Sequence, residues 1–274
     1  MIIDRLYEEV MKKGPICVGL DTRIEYISDD ILNSEETIEE KIFKFNKRII
    51  DETFDLTACY KLQIACYEAF GIEGLKAYSK TLKYIKEKGN IVIGDIKRGD
   101  ISSTAKMYAK AHFEGDFEVD FITVNPYMGY DAISPYFEYL EKGNKGLFVL
   151  AKTSNESSKD FQELEVDDEP LYMKVSKEIE KWGEKYVGRN GFSLIGSVVG
   201  CTNPKEIVDI SNTCKNTFFL IPGYGAQGGR GKGLSALFKN NMCGVVNSSR
   251  GIITSDNPRE AVLEMKEDIL KWLR

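Results

Sequence analysis

Histidine is nearly absent from this sequence. His112 is the only one in 274 residues. That excludes a histidine metal cluster, and it excludes any Ser-His-Asp arrangement that needs more than one imidazole. CxxC pairs are missing too. The six cysteines, Cys17, Cys59, Cys66, Cys201, Cys214 and Cys243, mostly sit inside apolar runs. Reduced, buried thiols are therefore expected rather than disulfides or a zinc site. There is no block of Lys and Arg of the kind that marks a nucleic-acid footprint. No apolar stretch approaches membrane-spanning length. The stretch from Met1 to Gly14 mixes three acids with three bases and has no long apolar core, so neither a signal nor a transit peptide is expected, and a cytoplasmic location follows as an expectation. Internal repeats and low-complexity linkers are also lacking.

What is present points to an enclosed α/β core. Hydrophobic residues make up 42% of the chain, enough for a sizeable interior, and the net charge of -6 suggests solubility while saying little about partners. Apolar, β-branched runs recur near Ile16-Asp21, Thr57-Ile64, Ile91-Lys97, Phe121-Asn125, Gly146-Thr153, Ser193-Val199, Phe218-Pro222 and Gly244-Asn247. Helical patterns occupy Ile2-Lys12, Glu35-Thr53, Gly74-Lys88, Ser102-Phe113, Ile133-Lys142, Leu171-Gly188, Pro204-Asn212 and Pro258-Leu273. This alternation suggests one (β/α)8 TIM barrel domain over residues 1–274, an open doubly wound sheet being the alternative. Thr202-Asn203-Pro204 and Asp256-Asn257-Pro258 each read as a cap followed by proline at the first helical position. The polar stretch "SNESSKDFQELEVDDEP", 154–170, follows a strand and reads either as a lid loop or as a solvated insertion.

The densest chemistry is in "GDIKRGD", Gly94 to Asp100. Side chains alternate along a strand, so Asp95 and Lys97 are expected on one face, at the strand's C-terminal mouth. Asp100 lies in the turn beyond, where it would either serve the site or cap the next helix. Asp21 ends "VGLD" on the first strand, and "YKLQ" on the second puts Lys61 and Gln63 on one face. Buried charges are costly unless paired, so lysines and acids facing one mouth imply an alternating network. An apolar core would be cheaper, which favours function over stability as its purpose. At the other end of the barrel sequence, "PGYGAQGG" follows the seventh strand and "NSSRGI" the eighth. Glycines let backbone N–H groups approach an anion, Gln227 adds a donor, and Arg250 offers a planar fork to phosphate oxygens. Barrels often hold phosphate between these two loops.

Together, "DIKRGDI", "KTSN", "PGYGAQGG" and "SSRG", in this order and spread over nearly the whole chain, resemble the orotidine 5'-phosphate decarboxylase family. The similarity is greatest to the branch with "VNPYMGYDAI" after the fourth strand, here Val124 to Ile133. The resemblance implies decarboxylation of orotidine 5'-phosphate to UMP by a homodimeric barrel with no metal or organic cofactor. It implies a catalytic array of Lys97, Asp95, Asp100 and Lys61, with Asp100, Ile101 and Thr104 reaching the partner subunit's site. By the same resemblance Asp21 matches the ribose-binding acid, Ser154 the reader of the pyrimidine edge, and Gln227 and Arg250 the phosphate ligands. Gln63 joins the substrate-binding set from its place beside Lys61. Thr153 competes with Ser154 for its role, and Asn125 stands where some branches have a histidine. His112 and the tyrosines Tyr127, Tyr130 and Tyr136 are expected to be structural. Two alternatives stand beside this reading. One is a metal-dependent barrel of the keto-gulonate-phosphate decarboxylase or hexulose-phosphate synthase kind, and the other is a non-catalytic phosphate-binding barrel.

Overall fold

A computed structural model describes residues 1–225, 228–239 and 242–273. The apolar runs become eight parallel strands: β1 (Ile16–Gly19), β2 (Cys59–Gln63), β3 (Ile91–Arg98), β4 (Phe121–Val124), β5 (Gly146–Lys152), β6 (Ile195–Val199), β7 (Phe219–Pro222) and β8 (Gly244–Ser248). Strands β1, β4, β6 and β8 are buried at every position, as expected where barrel interior and helical jacket cover both faces. Each strand pairs with its sequence neighbour, and β8 returns to β1 through Ile16↔Val246, Cys17↔Asn247 and Val18↔Ser248. That last pairing closes the barrel and removes the open-sheet alternative.

The jacket follows local rules. The helix Ile38–Thr53 starts at a capping box, Thr37 with Glu40, and buries Ile42, Phe45, Ile49 and Ile50 along one stripe. The last helix, Pro258–Leu270, is capped by Asn257, whose side chain accepts from the Glu260 N–H. The helix Ile2–Lys13 precedes the barrel and lies against the loops leading into β5 and β6, through Ile2 N–H to the Gly143 carbonyl and the Tyr7–Phe192 ring pair.

Three elements differ from expectation. A helix at Gly231–Phe238 joins β7 to β8, where "GRGKGLSALF" reads as loop because glycine is a poor helix former. The stretch expected as helix at Ile133-Lys142 is a 3-10 turn, Ser134–Tyr136, followed by a single α turn, Phe137–Leu140; Pro135 stands in the first of these. The 154–170 segment folds into a 3-10 turn (Glu156–Ser158), a helical turn (Lys159–Gln162) and a small antiparallel ribbon pairing Glu165–Val166 with Glu169–Pro170. Asp167 and Asp168 both take positive φ at the ribbon's tip, the geometry a tight two-residue hairpin turn demands. All six cysteines are free, and all but Cys66 are buried.

Candidate active site

The end of β3 departs from regular strand geometry. Its pairing with β4 shifts register between Gly94 and Arg98, and Lys97 adopts φ 46. A non-glycine residue in that region costs on the order of 1–3 kcal/mol. Thr123 on β4 holds the distortion: it accepts from the Lys97 N–H at 2.9 Å and donates its hydroxyl to Asp95 Oδ1 at 2.8 Å. The kink turns the Lys97 ammonium back onto Asp95 Oδ1, at 2.6 Å. Asp95 and Lys97 do share a face, but through a bulge and not through simple alternation.

Asp95 also accepts from Lys61, whose ammonium lies 2.9 Å from Oδ2 and 3.2 Å from Asp21 Oδ1. The side chains of Lys61 and Asp95 are 3% and 9% exposed. Burial by itself pushes the Asp95 carboxyl up, but the Lys61 and Lys97 ammoniums outweigh it and hold the group well below the usual carboxylate range. For Lys61 burial opposes the charge, and the Asp21 and Asp95 carboxylates override it, so its affinity for the proton is raised. Asp21–Lys61–Asp95–Lys97 is thus an alternating chain of charges, buried at Lys61 and Asp95 and more open at its two ends, where Asp21 is 28% and Lys97 45% exposed.

This chain forms one wall of a cavity of about 660 Å³ at the C-terminal ends of the strands. Asp21, Lys61, Gln63, Asp95, Lys97, Ser154 and Arg250 all line it, so most of the expected site residues converge. The lining also includes Pro222, Gly223, Tyr224, Ser249 and Arg250, from the end of β7 and the loops after β7 and β8. Gly223 and Gly225 have φ 100 and 73, which only glycine adopts freely. The Tyr224 hydroxyl donates to Asp268 Oδ2 at 2.7 Å and ties this loop to the last helix. Arg250 is exposed, and its guanidinium has no hydrogen bond or ion pair among the described residues. Gln227 lies outside the described residues.

Other expectations resolve differently. Asp100, Ile101 and Thr104 do not line the cavity of their own chain. Nor does Asp100 cap the helix Ser102–Phe113; Ile101 occupies the cap position, and Asp100 Oδ1 accepts from the Ile101 N–H at 2.8 Å. Asn125 makes a local turn, accepting from the Tyr127 N–H at 2.9 Å. His112 is buried against Phe117, and Tyr136 is fully buried, whereas Tyr127 and Tyr130 are exposed. Thr153 and Ser154 both line the cavity, but Thr153 is hydrogen-bonded through its N–H and its hydroxyl to Gln162, while the Ser154 hydroxyl has no partner among the described residues.

Sequence reasoning missed Thr123, Arg23, Tyr26 and Asn247, all of which line the cavity. Asn247 was within reach, being the first residue of the quoted "NSSRGI" and a buried amide at a strand end; its Oδ1 accepts from the Cys17 thiol. Thr123 in "FITV" carries no local signal, because β-branched residues belong in any strand. Among the described residues no group of three or more His, Cys, Asp or Glu side chains is arranged to hold a metal ion, and no helix is long and apolar enough to cross a membrane.

The family model described as orotidine 5'-phosphate decarboxylase / HUMPS matches residues 14–265. A Clostridium kluyveri protein named orotidine 5'-phosphate decarboxylase is 53% identical across 99% of this chain and 98% of its own length. One of the same name from Petrotoga mobilis is 54% identical over 98% of both chains. The crystal structure of a putative orotidine-monophosphate-decarboxylase from Toxoplasma gondii superposes with a TM-score of 0.88, at 34% identity, over 99% of this chain and 96% of that one.

Proposed function

Since the chain belongs to the orotidine 5'-phosphate decarboxylase family, we propose that it converts orotidine 5'-phosphate to UMP in pyrimidine synthesis, using the charge chain that ends at Lys97. The observation that carries this reading is Lys97 held at 2.6 Å on Asp95 at the wall of the strand-end cavity.

The chemistry explains the residues. Breaking the C6–carboxylate bond releases CO2 and leaves the electron pair on C6, in the plane of the ring, where the ring π system does not delocalise it. The site must stabilise that developing charge electrostatically with groups already in place. The Lys97 ammonium does this and then gives its proton to C6, forming the C6–H bond of UMP; solvent returns a proton to the lysine. Asp95 aims Lys97 by a charge-assisted hydrogen bond, and Lys61 neutralises the far side of Asp95. Asp21 addresses the ribose, Gln63 joins the substrate-binding wall beside Lys61, Ser154 reads the pyrimidine edge, and Arg250 with Gln227 holds the phosphate. Binding energy gathered at the phosphate is then available to hold C6 against Lys97.

The active form is a homodimer in the cytoplasm, in which Asp100, with Ile101 and Thr104 beside it, completes the neighbour's site. Their positions outside their own cavity, with Ile101 and Thr104 exposed and Asp100 half-buried, support this. The 154–170 segment, rooted at the Ser154 side of the cavity, acts as a lid over the base. The test is the loss of orotidine 5'-phosphate absorbance in excess EDTA. Sustained turnover is expected; abolished turnover that returns with a divalent metal would favour a metal-dependent relative, and no turnover under any condition would overturn the reading.

A further inference from the structure

Thr153 stands at the cavity wall with every polar group already engaged. Its N–H donates to Gln162 Oε1 at 2.8 Å, and its hydroxyl accepts from Gln162 Nε2 at 2.8 Å. The same hydroxyl donates to Asn155 Oδ1 at 2.7 Å, and its carbonyl accepts from Asn203 Nδ2 at 3.1 Å. The backbone N–H fixes the orientation of the Gln162 amide, since it needs the oxygen and leaves the nitrogen for the hydroxyl. One residue earlier, Lys152 is 1% exposed and reaches Glu163 Oε1 at 2.6 Å and the Ser158 hydroxyl at 3.1 Å. The consecutive pair Gln162-Glu163 therefore grips the consecutive pair Thr153-Lys152, and the loop between them is tied shut at its root.

Ser154 is the next residue out, and it is pressed from the other side. A Cβ placed on Gly200 would lie 2.7 Å from the Ser154 Cβ and 2.9 Å from its Cα, closer than side chains pack. Gly200 is itself held to the strand, its N–H donating to the Lys152 carbonyl at 2.8 Å. Ser154 is wedged between the Gly200 backbone and the clamped Thr153, with its hydroxyl left for a ligand.

We propose that Gln162, which does not line the cavity, is a positioning residue for base recognition: it engages both the N–H and the hydroxyl of Thr153 and thereby sets Ser154 as the group presented to the pyrimidine. The inference rests on the reading of Ser154 as the contact for the base edge. It assigns Thr153 no contact with substrate, and it makes Gly200 a second determinant of the same placement.

The experiment is titration calorimetry of UMP and of ribose 5-phosphate, which lacks the base, against wild type, Ser154→Ala, Gln162→Leu, the double variant and Gly200→Ala. Gln162→Leu is expected to weaken UMP by roughly tenfold, about as much as Ser154→Ala, as for one lost hydrogen bond. Ribose 5-phosphate should bind all variants as it binds wild type. The double variant should lose no more than either single one, because both act on one contact. Gly200→Ala should show the same base-dependent loss by displacing Ser154. Gln162→Glu, which still accepts from the Thr153 N–H and can accept the hydroxyl proton that Asn155 takes in the wild type, should stay within about threefold of wild type. If Ser154→Ala leaves UMP affinity unchanged, the reading of Ser154 fails and the inference falls with it. If Ser154→Ala weakens UMP while Gln162→Leu does not, or weakens both ligands alike, the base contact stands and the inference about Gln162 alone is overturned.

Discussion

Lys97 and Asp95 meet at 2.6 Å only because the chain is kinked at Lys97 itself, where φ is 46. Asp95 then carries two ammoniums, Lys97 on Oδ1 and Lys61 on Oδ2. Its removal leaves Lys61 buried with Asp21 as its one remaining partner among the described residues. Breaking a buried pair from one side typically costs about 3–5 kcal/mol. Asp95→Asn is therefore expected to lose roughly 3 kcal/mol of stability along with its turnover, measured by urea unfolding at neutral pH. A variant as stable as wild type would mean that the network contributes nothing to the fold and that Lys61 is relieved in some other way.

Arg250 has no protein partner among the described residues and lines the cavity beside the Gly223–Gly225 turn. Arg250→Ala is expected to weaken the phosphorylated substrate by roughly 2–5 kcal/mol, the range for truncating one side of a charge pair. Turnover of orotidine, which lacks the phosphate, should barely change. Steady-state kinetics with the two substrates distinguishes this from a structural role, which would damage both equally.

His112 makes acid sensitivity part of the fold. Burial, helped by the nearby Arg98 charge, lowers its pKa from 6.5 to about 4. The unfolded chain therefore takes up the proton first, so the stabilisation is complete above pH 6.5 and is lost as the pH falls toward 4. By about pH 5 the loss should be on the order of 2 kcal/mol. Urea unfolding of wild type and His112→Gln, each at about pH 7.5 and about pH 5, isolates the effect: the wild type should lose more between the two conditions. Equal losses would show that His112 is not held neutral.

Asp100 tests the shared site. In a dimer refolded from Lys97→Ala and Asp100→Ala chains, one site collects both defects, and the other takes Lys97 from its own chain and Asp100 from the partner. Random pairing makes about half of the dimers hybrid, so about a quarter of wild-type activity should return, although each variant alone is nearly inactive. If wild-type chains refold well under the same conditions and the mixture stays inactive, Asp100 serves its own subunit or only orders the turn through the Ile101 N–H.

Much of this architecture was legible because parallel barrel strands are buried on both faces and leave continuous apolar runs. Asp21, Lys61, Asp95, Lys97 and Arg250 were legible because charges at the ends of such runs have no cheap structural explanation. Thr123 was hidden, since its role depends on which strand lies beside β3 and on a kink at Lys97 that no propensity announces. The helix Gly231–Phe238 was hidden by its glycines, and tertiary packing overrode their preference. The contest between Thr153 and Ser154 was open in the sequence, because Gln162, which engages Thr153, stands nine positions further on and across a loop.

The central claim is that Lys97 stabilises the charge at C6 and donates the proton. Its most direct test is single-turnover decarboxylation by Lys97→Ala alongside calorimetry of UMP. The account predicts a fall in kcat of at least about a thousandfold, the scale set by losing both an electrostatic partner and a general acid, with UMP affinity within about tenfold of wild type. Retention of even about a tenth of wild-type kcat by a variant that still binds UMP would contradict it and remove Lys97 from the chemistry.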